Sequence, residues 1–402
     1  MRGVLRFVVL LIVVLAIAYL GAWWYVQGRM AVAFRAQEQV LRAAGWTVSH
    51  GAVARGSSPL VASYAVDDLS LMPPDRGMPT PRITLPQVVL RVRPTAPFTL
   101  DVGLPLAWHI AMAQGPAFTL RFATISDRYG FDPNAVLDHA PNPWRQGMLD
   151  FTGMRMDSAD TNFTLVSIAS FAGTVTRDPA ADKGSTALTV HEALSGLALS
   201  PIFVTLAHLP FDGKLGALGL DASFSGPALP SIAPSALLAG NGGAAPGVAV
   251  SGVAASGIAA WNQLGPAMHH WAQAGGHGHF AVTLALGPLH AKTDGDIGFD
   301  PSVQPDGKAT LVADGVGAFF GDIANAYPAA VGMISALSAQ TAPYMSKGPD
   351  TTKTGADAQR LTVAFGLAGG VLTANGKKVA DVPPVVWPPA SPTPSSVAKP
   401  AP

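Results

Sequence analysis

Residues 361–378 read LTVAFGLAGGVLTANGKK. Leu361, Val363, Phe365 and Leu367 recur at a spacing of two, which is the period of a strand with one buried face. After Gly369 a second run, Gly370–Ala374, ends at Asn375-Gly376-Lys377. Asn-Gly between apolar runs is a strong hairpin signal, because both residues accept the positive φ that a tight turn of the right twist requires. The stretch therefore predicts antiparallel strands joined by short turns.

The same reading extends outward. Asp212-Gly213-Lys214 and Asp306-Gly307-Lys308 repeat the turn signal. Short runs rich in Val, Leu, Phe and Thr, bounded by Gly, Pro or Asp, predict strands at Val61–Leu71, Ile83–Val92 and Phe118–Ile125. Further runs lie at Met148–Met156, Thr161–Val175, Ala187–His191, Leu215–Phe224, His279–Leu286 and Thr310–Val316. The strands do not alternate with helices, which excludes a doubly wound parallel sheet. Strands such as Ala281–Leu286 carry small or apolar residues at successive positions, so a second apolar face is expected to be covered by another layer or to form a groove.

Two helical inserts interrupt this pattern. Gly252–Ala274 places Ile258, Trp261, Leu264, Met268 and Trp271 on one face, with a kink expected at Pro266. Phe319–Leu337 does the same with Phe320, Ile323, Tyr327, Val331, Ile334 and Leu337 around Pro328. Ser225–Gly247, rich in Ala, Gly and Pro, is expected to be a loop, and a subdivision of the sheet region near 225–250 is left open. From Pro383 the chain is rich in Pro and Ser, as in an extended, solvated tail.

At the other end, Phe7–Val26 (FVVLLIVVLAIAYLGAWWYV) holds no charge. About 20 such residues span a ~30 Å hydrocarbon core. Its Leu, Ile, Val and Phe residues favour insertion by roughly 4–7 kcal/mol. Trp23, Trp24 and Tyr25 sit where amphipathic rings prefer the headgroup level. Arg2 and Arg6 precede the run and are expected to stay in the cytoplasm. The competing reading is a cleaved signal peptide ending at Ala16-Ile17-Ala18. Both readings export the rest. Gln27–Ala44 has helical spacing and would continue the membrane helix as a stalk, ended by Gly45. The expected organisation is residues 1–28 as anchor, 29–44 as stalk, 45–382 as a β-rich periplasmic domain and 383–402 as tail.

Composition removes several function classes. Lys+Arg and Asp+Glu are 25 each, so no basic surplus is available for nucleic acid. Charged residues make up 12%, about half the usual share, so polar surface must come from hydroxyls, amides and backbone. The chain has no cysteine, which excludes thiolate catalysis, disulfides and cysteine-held metal clusters.

The motifs that could carry chemistry read as structural. His269, His270, His277 and His279 could be gathered around a metal by a Gly-rich bend, but no Asp, Glu or Cys lies beside them in sequence, and exposed histidines at a helix end account for the pattern. Thr293-Asp294-Gly295-Asp296 opens like a calcium loop but lacks the following ligand and the required glycine. Ser57, Ser58 and Ser225 are loop serines with no nucleophile elbow, and His191-Glu192 lacks the spacing of a zinc helix. Gly213, Gly216 and Gly219 lack the start of a nucleotide fingerprint, and Gly370–Lys378 lacks P-loop spacing. Asp67-Asp68 and the pair Asp157 and Asp160 are carboxylates in turns. No catalytic, cofactor-binding or metal-ligating residue is assigned.

Several features together carry a resemblance: the anchor, the stalk ending in Gly45-Trp46-Thr47-Val48-Ser49-His50-Gly51, and Val66-Asp67-Asp68-Leu69-Ser70-Leu71 before Pro73. Phe299-Asp300-Pro301, the run Pro305–Leu311 and the closing Gly370–Gly376 before Val382-Pro383-Pro384 complete it. The chain resembles an uncharacterised alphaproteobacterial family of membrane-anchored periplasmic proteins, a domain of unknown function. Its layout is also similar to AsmA-like proteins. That likeness implies a curved antiparallel β-sheet with a lipid-accommodating groove and a role in envelope lipid homeostasis. The expected protein is mainly β with helical inserts, a single-pass protein of the bacterial inner membrane with its bulk in the periplasm. It is expected to be non-enzymatic and cofactor-free, with membrane lipid and envelope proteins as partners. A structural scaffold and, last, a metal-dependent enzyme are the alternatives.

Overall fold

A computed structural model describes residues 2–58, 60–74, 80–113, 115–137, 143–182, 184–207, 213–226, 268–347 and 359–387; before Tyr19, side chains are described only at Val14. The 225–250 subdivision, most of the first helical insert and the tail beyond Trp387 lie outside these residues.

The chain opens with one helix, α1 (Arg2–Ala43), which ends two residues before Gly45. Among the described residues, no helix is long and apolar enough to cross a membrane. The stalk portion does not stand free. Met30 and Ala31 are buried, and Trp23, Val26, Phe34 and Leu41 pack with them against strand residues. Gln27 is buried in the same interface and donates through Nε2 to the carbonyls of Gly56 (2.9 Å) and Ser63 (3.2 Å). Further along, Arg42 donates to the carbonyl of Val48 at 3.0 Å. The helix is thus fastened to the sheet at two levels.

The described strands form a single sheet of 19, and every pairing is antiparallel. Two short strands, β1 (Thr47–Ser49) and β2 (Val53–Arg55), flank β3 (Ala62–Met72), which pairs with β4 (Pro81–Arg93). Two lanes then lie side by side. One half of β4 pairs with β5 (Ala96–Gly103), which pairs with β8 (Thr124–Phe131). The other half pairs with β6 (Ala107–Met112), which pairs with β7 (Ala117–Arg121). Both lanes meet again on β9 (Trp144–Ser158).

From there the sheet is a meander, each strand pairing with its sequence neighbour. It runs through β10 (Thr164–Arg177), β11 (Thr186–Leu199), β12 (Lys214–Ser225), β13 (His277–Leu286), β14 (Leu289–Phe299) and β15 (Pro305–Asp314). β17 (Gln359–Ala368) follows, with β16 (Met345–Lys347) and β18 (Val371–Ala374) on its far side and β19 (Lys377–Asp381) outermost.

The Asn375-Gly376 turn joins β18 to β19 with φ of 48° and 76°, the two left-handed residues the hairpin needs. Asp306-Gly307-Lys308 is different. These residues lie inside β15, because the chain reverses earlier: the Asp300 carboxylate accepts from the N–H groups of Ser302 and Gln304 and from the Ser302 hydroxyl. The second helical insert is also two helices, α4 (Val316–Ala326) and α5 (Val331–Thr341), with Pro328 opening a single 3₁₀ turn between them. Two shorter helices, α2 (Pro133–Leu137) and α3 (Pro201–Ala207), occupy connections. The start of the tail is docked. Val385 exchanges hydrogen bonds with the Gln304 side chain, and the Trp387 indole donates to the carbonyl of Val303 at 2.9 Å.

Candidate apolar ligand-binding face

Directly opposed residues in an antiparallel sheet share a face, so the register defines what each face carries. One row runs Ile125, Phe151, Phe171, Leu194, Leu218, Leu284, Ala291, Ala313, Leu361 and Met345, one residue from each of ten strands. All ten are apolar. Nine interstrand steps of ~4.8 Å make this row about 43 Å long along the sheet. The row beside it, one residue over on the other face, reads Thr124, Thr152, Ser170, Ser195, Ala217, Ala285, His290, Asp314, Arg360 and Ser346. Its hydroxyls and charges bond one another, as in Ser170–Ser195 at 2.6 Å and Arg360–Asp314 at 2.6 and 2.8 Å. The sequence suggested small or apolar residues on both faces of such strands. The register sorts Val282 and Leu284 to the apolar face and the small Ala281, Thr283 and Ala285 to the other.

The apolar face survives a change of phase. Phe151 and Met154 are both buried in one cluster with Ile168, although three positions separate them on β9. The flip occurs at Gly153 (φ 58°), and the same happens at Gly196 (φ 61°) between Leu194 and Leu197. These glycines lie along a crease with Ala123 and Ala169. A Cβ on Gly196 would stand 2.5 Å from that of Ala169. At Gly196 a bulge in the β11–β12 register accompanies the flip, and such a bulge bends a sheet while its apolar residues stay on one side.

Coverage differs along the face. At one end α1 packs over β3 and β4. At the other, Val316 and Phe320 of α4, with Tyr344, close over Leu361 and Val363. Aromatic rings line the stretch next to α1: Trp108, Phe122, Phe151 and Phe171 follow one another at 5.0, 5.4 and 5.2 Å. Between the ends Leu218 is 48% exposed.

Charge is sparse here. The row Leu90, Val102, Asp127, Leu149, Gly173, Glu192, Leu220, Val282 contains two carboxylates among apolar residues. Glu192 is exposed. Burial lifts the Asp127 carboxyl from its ordinary 3.8 to about 7, against the lowering effect of hydrogen bonds from the Tyr129 hydroxyl and the Arg128 N–H. Tyr129, two residues on and on the same face, is pushed upward by burial and by Asp127. Alternation in Thr124–Phe131 was the signal for this: Ile125, Asp127, Tyr129 and Phe131 fall at a spacing of two. A lone Asp in an unrecognised strand carried no motif.

The four histidines that a Gly-rich bend could have gathered go separate ways. His269 stacks on Trp387, with centroids 5.0 Å apart and planes at 10°. His277 and His279 stand opposite Ser225 and Ser223 on the polar face, where His279 meets Asp296 at 3.0 Å and Asp294 at 3.6 Å. His270 is exposed. The calcium-like Asp294 and Asp296 are therefore strand residues of β14. His191 pairs with Asp221 on the polar face, while Glu192 points the other way. Asp157 is held by Arg121 (3.1 Å) and Thr164 (2.7 Å), a structural arrangement. Among the described residues, no three His, Asp or Glu side chains are grouped to hold a metal ion.

Comparison with known proteins adds a family. A family model described as an uncharacterised protein conserved in bacteria matches residues 23–383. No curated protein and no solved structure matches the chain.

Proposed function

This chain belongs to that uncharacterised bacterial family, DUF2125, and we propose that it is a non-enzymatic, membrane-anchored module that holds a lipid or another apolar ligand on the apolar face of its sheet, on the periplasmic side of the bacterial inner membrane. One observation carries the reading: an unbroken apolar row crosses ten strands of a face that α1 covers over β3 and β4 and α4 covers near Leu361, and it is half-exposed at Leu218 between them. A contiguous apolar surface of this kind marks an interaction site. About 43 Å of row exceeds the ~15 Å that one leaflet's acyl chains span, so acyl chains fit along it. The anchor rests on the uncharged run Phe7–Val26 and its terminal aromatics. The similarity of layout to AsmA-like proteins supports a part in envelope lipid homeostasis as a fold-level analogy.

The test is photo-crosslinking. The full chain is reconstituted in vesicles containing a lipid with a photoactivatable acyl chain, and the labelled peptides are mapped by mass spectrometry. Label is expected on β11–β13, around Leu194, Leu218 and Leu284. Leu218→Asp places an unpaired charge on the face and should lower that label about tenfold, a loss of ~1.4 kcal/mol. Label confined to residues before Gln27 would refute the lipid face and direct attention to envelope proteins as partners of the sheet.

A further inference from the structure

We infer that the β2–β3 hairpin tip is a second membrane contact, which rests on the bilayer surface beside the anchor and recognises anionic headgroups. The inference depends on α1 serving as the anchor proposed above.

The geometry starts from the two fastenings of α1. Arg42 lies level with Val48, which pairs with Leu71 on β3, whereas Gln27 lies level with Gly56 and Ser63. From Leu71 to Ser63 is about 26 Å of strand, and from Arg42 to Gln27 about 22 Å of helix. Helix and strand therefore run side by side, and the tip that joins β2 to β3 points toward the N-terminal end of α1. Leu60 lies three residues beyond Ser63, up to ~10 Å further on. That brings it to the level of Leu20–Trp24, since ~10 Å is about seven helical residues counted back from Gln27.

The chemistry at this level suits a headgroup region. Leu60 is 72% exposed, and Trp24 and Tyr25, close to that level of α1, are 65% and 57% exposed. A large apolar side chain at a hairpin tip gains nothing from water, and indole and phenol rings favour the interface. The Arg55 guanidinium lies 5.9 Å from the centre of the Trp24 ring. Arg91 stands opposite Ser63 at the same strand ends, with Asp101 across from it on β5, and Arg93 is tied to that Asp101 at 3.3 Å. Arg55 and Arg91 match phosphate, and a cation contributes ~1 kcal/mol near an anionic surface. The consequence is positional: a tip seated in the headgroups fixes the helix-capped end of the apolar face against the bilayer.

The chain has no cysteine, so single cysteines can be labelled without altering anything else. Leu60→Cys, Met333→Cys and Val14→Cys would each carry an environment-sensitive fluorophore, in the full chain reconstituted into phosphatidylcholine vesicles with or without phosphatidylglycerol. Met333 is 72% exposed on α5, in the insert that leaves β15 after Asp314, at the strand end opposite the hairpin tip, and reports water. The expected result is a blue shift at position 60, with loss of fluorescence to lipids brominated near the headgroup. Position 333 should show neither. Arg55→Glu should weaken the effect at position 60 in the phosphatidylglycerol vesicles. A position 60 as aqueous as position 333, while position 14 is quenched by deep bromines, overturns the hairpin contact and leaves the anchor standing. An aqueous signal at position 14 as well overturns both.

Discussion

Among the described residues, Asp127 is the carboxylate on the apolar face whose proton partial burial holds, and its titration follows from that. Its pKa in the folded protein stands at about 7, above the ordinary 3.8. A group whose proton is held more tightly when folded favours folding fully below pH 3.8, and that contribution is lost as pH rises through 7. Asp127→Asn should therefore leave stability nearly unchanged at pH 4 and raise it by about 2–4 kcal/mol at pH 8, where the wild type buries a charge. The amide oxygen still accepts from the Tyr129 hydroxyl. Urea denaturation of both proteins at the two pH values checks this; a difference independent of pH would mean that Asp127 titrates as an exposed acid. In the sequence, Asp127 was one carboxylate among many. Only the pairings with Val102 and Leu149 give it apolar neighbours, and long-range pairing is not encoded in a local window.

At the scale of elements, the crease through Gly153 and Gly196 keeps the apolar face continuous. Gly196→Ala would force a Cβ to within 2.5 Å of the Ala169 Cβ, at a φ of 61° that a side chain disfavours. A loss of about 1–3 kcal/mol is expected, read as a lower thermal midpoint. A midpoint unchanged within error would show that the strands can slip to regular alternation there. Elements whose signals are local were legible. The Asn375-Gly376 hairpin and the strands around it need nothing beyond their own residues. Asp306-Gly307-Lys308 misled because the Asp300 side chain closes the reversal first, a competition between two turn-formers. β14 escaped notice because the middle of its apolar-face series, Ala291, Thr293 and Gly295, is too small to display a period between Leu289 and Ile297. β5 and β6 escaped because Pro105 and Leu106 separate two short runs that only β4 joins.

For the whole molecule, a sheet this wide must protect its margins. On one side β1 and β2 are three residues each, too short to template another chain. On the other side every residue of β19 is exposed, and Lys377 and Lys378 stand on it. Edge lysines oppose strand addition. Lys377→Ile with Lys378→Ile should leave folding stability within about 0.5 kcal/mol while hastening concentration-dependent aggregation, followed by light scattering. Equal aggregation rates would assign protection to some other part of the edge. Mainly antiparallel character was legible throughout, since it is the sum of many local strand and turn signals. The single apolar face was not, because it exists only in the register. The side-by-side lanes between β4 and β9 carry a kinetic consequence. The β6–β7 hairpin is enclosed within the loop that connects β5 to β8, so β9 finds a complete partner edge only after both lanes have closed. Beyond β9 each strand adds to one already placed, across short turns except at the long connections from β12 to β13 and from β15 to β17, and loop entropy grows only slowly with length. The slow step of folding therefore belongs to the N-terminal half, and the C-terminal meander can zip onto a nucleus that is already in place when the ribosome delivers it.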